Sequence, residues 1–205
     1  MKKRQIVKAN SEAKKLVNFL FETRILKYLP RGALPYLKTP LKENVAEHSF
    51  YTTIIAWILA ELEKANKGKV IKMALIHDLA EIRGGERNLI NKFYTQQLNE
   101  VKIIEEVSQT YNLRSFEISK LFQEFFKEET KEAKIVKDAD ILAGMLLEKE
   151  CLELGNKTAK KWLAFSFSRL KTKKGKNLGK LLIKVDSDAW FLDLVGKFLP
   201  WTKSL

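Results

Sequence analysis

The chain has 205 residues, 45% of them hydrophobic and 10% aromatic, with a formal net charge of +13. This composition excludes a disordered or low-complexity polymer and suffices for one hydrophobic core without disulfides; the single cysteine, Cys151, has no partner for an internal bridge. No run approaches the ~20 apolar residues needed to span a bilayer, and no apolar signal segment follows Met1-Lys2-Lys3-Arg4 before Ser11. The expectation is a cytoplasmic protein without a membrane partner. The positive charge is lysine scattered along the chain and denser at 67–72 and 171–176. Such a field attracts polyanions and phosphorylated small molecules. A nucleic-acid partner has only this charge in its favour, since neither zinc-finger spacing nor an RNA-binding motif is present.

Nearly every long segment repeats its apolar residues with helical spacing, which predicts an all-α fold. Ser11 is read as the N-cap of a first helix reaching about Lys27, with Leu16, Phe19, Leu20, Ile25 and Leu26 on its apolar face and Pro30 beyond its end. Gly32, Pro35 and Pro40 predict a loop over Arg31 to Glu43. A second helix, about Val45 to Lys64, is apolar on most sides and therefore predicted to be buried all round. A third, about Val70 to Ile82, has only His77 and Asp78 as interior polar residues and is closed by Gly84-Gly85. Further helices are predicted at about 92–111, 115–127, 131–154, 158–170, 177–185 and 187–199. With short loops and no Pro/Gly/Ser-rich linker, residues 1–205 are read as one domain: a core over about 12–155 and additional C-terminal helices over about 158–199. Trp162, Phe165, Phe167, Trp190, Phe191, Phe198 and Trp201 are expected to pack those helices or a subunit interface.

The chain contains only two histidines, His48 and His77, both among apolar neighbours. A buried histidine is commonly a hydrogen-bonded core residue, but Asp78 beside His77 raises a sharper question. An unpaired buried carboxylate costs several kcal/mol, so it must meet a cation, meet strong donors or take up a proton. No Lys or Arg stands one turn away; those positions are Ala74, Leu75, Glu81 and Ile82. Glu81 adds a second acid to the same face. Asp138 and Asp140 interrupt a third apolar segment, Asp138 read as solvated beside Lys134 and Lys137, Asp140 as deeper. His48, His77-Asp78 and Asp140 on three helices would put two imidazoles and two carboxylates in a bundle core, a donor set suited to Mn, Fe, Co, Ni or Zn.

Three segments carry a family resemblance. Glu43-Asn44-Val45-Ala46-Glu47-His48-Ser49, Ala74-Leu75-Ile76-His77-Asp78-Leu79-Ala80-Glu81 and Glu132 to Asp140 resemble, in this order, the motifs of the HD superfamily of metal phosphohydrolases, most closely its 5′-deoxynucleotidase branch. The resemblance implies an HD-domain helical bundle, one divalent metal ion (Mn, Co, Fe, Ni, Zn or Mg) on His48, His77, Asp78 and Asp140, and a homodimer. It implies that Arg31 contacts the phosphate and that Glu81 is the acid beside the reacting water. Glu86 stands where the family usually has aspartate, and is read as a catalytic and substrate contact one methylene longer. Leu34 is the nearest counterpart of a tryptophan that packs near the sugar.

The function so implied is hydrolysis of (deoxy)nucleoside 5′-monophosphates, with a small-molecule phosphate ester as partner. Two alternatives stay open: an HD phosphohydrolase acting on cyclic nucleotides, nucleoside triphosphates or another phosphate ester, and a basic nucleic-acid-binding module with a vestigial metal site.

Overall fold

A computed structural model describes residues 2–95 and 98–198, with the side chains of residues 2–9 left aside. The α-helices are α1 (Lys2–Thr23), α2 (Leu34–Leu37), α3 (Val45–Leu62), α4 (Lys67–Ile76), α5 (Glu81–Gly84), α6 (Leu89–Tyr94), α7 (Glu100–Thr110), α8 (Ile118–Lys127), α9 (Lys131–Glu153), α10 (Ala159–Arg169), α11 (Lys173–Lys184) and α12 (Ala189–Phe198). Short 3-10 turns occupy Arg24–Tyr28 and Arg114–Phe116. Among the described residues the only extended pairing is an isolated bridge between Pro30 and Asn44. The protein is all-α, as its periodicity predicts.

Helix α9 is the axis of the structure, with α3, α4, α8, α10 and α11 packed on it. Their shared core runs through Ala56, Leu59, Met73, Phe125, Val136, Ala139, Leu142 and Leu163. A second cluster (Leu26, Val45, Leu79, Ile104, Val107, Phe122) joins α7 and α8 to the start of α3. A third, smaller one (Leu37, Leu147, Cys151, Ala159) holds α2 against the far half of α9. The His77 ring packs edge-on against Phe125 of the first cluster, with ring centroids 5.7 Å apart.

The structure departs from the sequence reading at several places, each with a physical cause. Helix α1 already runs at Lys2, so Ser11 is interior rather than an N-cap; the preceding residues are good helix formers and nothing interrupts them. The predicted helix over 70–82 stops at Ile76. There the His77 ring donates from Nδ1 to the Ala74 carbonyl at 2.7 Å, taking an acceptor that a continuing α-helix would use. The chain then tightens into three-residue turns, with Leu79 N bonded to Ile76 O and Glu81 N to Asp78 O, both at 3.0 Å. The predicted helix over 92–111 is two, α6 and α7, capped separately by Asn88 and Asn99. Ser115 lies in a 3-10 turn ahead of α8. The prediction that α3 is buried all round also fails. Its buried stripe is Val45, His48, Ser49, Thr52, Ala56, Leu59 and Ala60, mostly small residues that let it approach α9 closely. Phe50, Ile54, Trp57 and Ile58 are exposed on the other side.

Asp138 reverses its predicted place. It is fully buried and accepts from the backbone N–H groups of Lys171 (2.8 Å) and Thr172 (2.7 Å) and from the Thr172 hydroxyl (2.7 Å). Its carboxylate anchors the start of α11. A Cβ at Gly175 would lie 2.3 Å from the Asp138 carboxylate, which explains a glycine inside that helix. Of the C-terminal aromatic residues, Phe167 packs on the main core and Trp162 on the third cluster, whereas Trp190, Phe191 and Phe198 are exposed. Trp201 lies outside the described residues.

Candidate metal centre and substrate cleft

Local structure fixes the site from three sides. Asn44 makes a reciprocal capping box with Glu47, each side chain bonded to the other's backbone N–H at 2.9 and 3.0 Å. This sets the first turn of α3 and hence the azimuth of His48 one residue later. On the second side, the break after Ile76 swings His77 and Asp78 out of helical register. The third comes from α9, whose middle presents Asp140.

These pieces converge. The His48 and His77 rings lie 5.7 Å apart. One ligand atom each from His48, His77 and Asp78 falls within a group whose members all lie within 4.8 Å of one another. Asp140 stands beside that group, its Oδ1 3.0 Å from His48 Nε2. Thr52, one turn along α3 from His48 and fully buried, lies 3.3 Å from the same nitrogen.

The donors fit a cation. His77 Nε2 and Asp78 Oδ2 are buried 3.1 Å apart, and His48 Nδ1 is buried 4.0 Å from Glu43 Oε2, so these polar atoms face only one another, an arrangement that is costly unless a proton or a cation is shared among them. Because the Ala74 carbonyl can only accept, His77 must carry its proton on Nδ1 and present the Nε2 lone pair; a backbone carbonyl behind the ring is the usual way to orient a ligating histidine. Mixed imidazole and carboxylate donors suit a divalent transition metal.

The electrostatics point the same way. Burial works against charge on His77, but the Asp78 and Asp140 carboxylates outweigh it and raise its pKa. Burial likewise opposes ionisation of Asp78 and Asp140, yet His77 holds the first below the usual carboxylate range and His48 the second. The site therefore favours positive charge between its acids.

Arg31 enters from the loop before α2. Its guanidinium is 3.1 Å from Glu86 Oε1 and 3.6 Å from Asp78 Oδ2, with Nε 3.7 Å from Glu43 Oε2. Burial disfavours its charge, but Glu86 and Asp78 restore it and raise its pKa further. Glu86 also accepts from the Gly32 backbone N–H at 3.0 Å, so one carboxylate fixes both the head and the neighbouring backbone of Arg31. A Cβ at Gly32 would lie 2.9 Å from Asn88 N, so this close approach requires glycine. Glu81 is buried, and burial first, then the charges of Asp78 and Glu86, push its carboxyl up to about 11.

These groups face a cleft of about 160 Å³ lined also by Ala33, Leu37, Arg87, Lys92, Gly144, Glu148, Trp162, Phe165, Ser166 and Arg169. Arg31, Asp78, Glu81, Glu86 and Asp140 all line it, and the two histidines stand behind Asp78 and Asp140. Leu34 does not: it packs beside Leu37 and Cys151 in the third cluster, while its neighbours Ala33 and Leu37 face the cleft. Sequence reasoning passed over Thr52, whose i+4 spacing from His48 was available, and Glu43, which stood in a quoted motif without a role. It also missed the wall of Glu148, Trp162, Phe165 and Ser166, for which no local pattern exists.

The profile of the HD-domain family matches residues 23–182. Among curated relatives, a 5′-deoxynucleotidase of Xenopus laevis is 30% identical over 135 residues, 64% of this chain and 66% of the relative. One from Homo sapiens is 26% identical over 149 residues, 71% and 72% of the two chains. One from Dictyostelium discoideum is 33% identical over 146 residues, 64% and 77%. The aligned segments thus span about two thirds to three quarters of these relatives. Among solved structures, a protein from Magnetospirillum magnetotacticum described as a predicted metal-dependent phosphohydrolase superposes with a TM-score of 0.64 at 26% identity, covering 85% of this chain and 94% of the other. A Pyrococcus horikoshii protein gives 0.67 at 25% identity, covering 83% and 99%. With the motifs in order, the fold shared and the profile spanning most of its length, this chain belongs to the HD-domain family of metal-dependent phosphohydrolases, on its 5′-deoxynucleotidase branch.

Proposed function

We propose that the protein hydrolyses the phosphomonoester of (deoxy)nucleoside 5′-monophosphates, releasing nucleoside and phosphate, with one divalent metal held by His48, His77, Asp78 and Asp140. The observation that carries this reading is the convergence of two imidazoles with the Asp78 and Asp140 carboxylates at the wall of a cleft that Arg31, held by Glu86, also lines. A bound dication would supply Lewis-acid activation of water and phosphoryl oxygen. Arg31 binds the phosphoryl group, because its planar fork can donate two parallel hydrogen bonds to phosphate oxygens. Glu43 and Glu86 hold that fork in place. Glu81 sits next to Asp78, and a dication held there would draw its raised carboxyl down, so that it could take or return the proton of the attacking water.

The reading includes a homodimer, supported by the exposed apolar row Phe50, Ile54, Trp57 and Ile58 on α3. It also includes a cytoplasmic location, supported by the buried free thiol of Cys151; among the described residues no helix is long and apolar enough to cross a membrane. Phosphate release from a panel of nucleoside 5′-monophosphates, with Mn, Co, Mg or chelator, tests the activity. Metal-dependent turnover of monophosphates is the expected result; turnover confined to cyclic phosphodiesters or triphosphates would reject it.

A further inference from the structure

The wall of the cleft away from the metal contains a buried acid that the hydrolysis does not use. Glu148 lies on α9 eight residues after Asp140, roughly 12 Å farther along the axis at 1.5 Å per residue, a separation comparable to the length of a nucleoside monophosphate. It is 6% exposed. Ser166 on α10 donates its hydroxyl to Glu148 Oε1 at 2.8 Å, and Oε2 has no partner. Arg169 acts on this carboxyl through space only, and its guanidinium lies 5.7 Å from the centre of the Phe165 ring. Gly144 stands between Asp140 and Glu148 on the cleft-facing side of α9, and a Cβ there would meet nothing within 4 Å. The missing side chain leaves an open floor from the metal end to Glu148. Trp162 and Phe165 line the cleft beside it.

Resting on the proposed nucleotidase reading, we infer that this wall reads the nucleobase: Trp162 and Phe165 stack against the ring, and the Glu148 carboxylate, braced by Ser166, accepts from bases that carry an exocyclic amino group. A carboxylate has about four lone-pair positions, so the bond from Ser166 leaves capacity for two further donors. Guanine fits best, because its N1–H and amino N–H lie side by side and match two carboxylate oxygens. Adenine and cytosine offer an amino group alone. Thymine and uracil turn carbonyl oxygens to either side of their single N–H and would meet the carboxylate with repulsion. Burial raises the Glu148 carboxyl to about 7 against the opposing effects of Ser166 and Arg169, as expected of an acid whose charged form lacks a partner that a ligand would bring.

The test compares kcat/KM for the 5′-monophosphates of deoxyguanosine, deoxyadenosine, deoxycytidine and thymidine in the metal-loaded protein and in Glu148→Gln, an isosteric change whose folding is checked by thermal unfolding. A site built around a hydrogen bond rejects the analogue lacking it strongly. The wild-type protein should therefore prefer the deoxyguanosine ester over the thymidine ester by roughly tenfold or more, and the variant should lose most of that ratio. A wild-type ratio near one, or a variant that changes all four substrates equally, overturns the inference; equal loss would assign Glu148 to the sugar or to folding. If no monophosphate is turned over, the nucleotidase reading itself has failed. The wall can still be judged then by saturation-transfer NMR with the unphosphorylated nucleosides. Deoxyguanosine contact that weakens in Glu148→Gln supports it, and equal or absent contact for deoxyguanosine and thymidine rejects it.

Discussion

Two aspartates separated by one residue illustrate how little residue type says about role. Asp138 and Asp140 share one helix and similar neighbours, yet Asp138 is saturated by three donors from Lys171 and Thr172 and Asp140 faces His48 and the cleft. Asp138→Ala should cost about 3 kcal/mol of stability, since it strips several charge-assisted bonds from a buried group, while metal per folded protein stays unchanged. His77→Ala should do the reverse. Its bound metal, read by elemental analysis after dialysis, should fall at least about tenfold and phosphate release should drop to background, because a metal site loses much of its affinity even when only a supporting group is removed. Loss of metal in Asp138→Ala alone would mean that the wrong aspartate has been assigned. Glu148 supplies a pH signature. Its carboxyl is raised from the ordinary 4.5 to about 7, so between those values the unfolded chain has released a proton that the native state keeps. Stability therefore falls as pH rises through that window. Glu148→Gln lacks the effect, and its stability relative to wild type in urea titrations should grow from pH 4.5 to pH 7, by at most about 3 kcal/mol. A constant difference would show that the acid is already satisfied.

Helix ends, more than helix interiors, place the chemistry. The capping box at Asn44 fixes where α3 begins, and the bond from the His77 ring to Ala74 fixes where α4 stops. Asn44→Ala should cost about 1 kcal/mol, the usual worth of a cap, and the loss should be visible as a lower unfolding midpoint with the metal removed. The same variant should bind metal more weakly, because the first turn of α3 also carries His48; unchanged metal affinity would show that packing on α9, not the cap, sets the azimuth of the ring. The element boundaries explain why sequence reading drew His77-Asp78 inside a continuous helix. Apolar periodicity persists from Val70 to Ile82, and the interruption comes from a side chain competing for a carbonyl, which leaves no trace in the hydrophobic pattern.

At the scale of the whole molecule, the apolar residues of α3 divide into two populations. Small ones face α9, and Phe50, Ile54, Trp57 and Ile58 face outward. On the dimer reading, Trp57→Glu should convert the protein to a monomer by light scattering at micromolar concentration, while a wild-type protein that is already monomeric would leave this face without a self-partner. The ordered residues His48, His77-Asp78 and Asp140 were legible from sequence because three motifs with fixed spacing and strong apolar surroundings restrict what those polar groups can do. All-α architecture was legible as well, since periodicity is a local property of the chain. Tertiary structure alone decided that Asp138 is a structural anchor, that Leu34 turns away from the cleft and that Glu148, Ser166 and Trp162 line it. Those outcomes depend on which faces of α9, α10 and α2 meet, and residues that touch across such an interface share no spacing along the chain from which their meeting could be read.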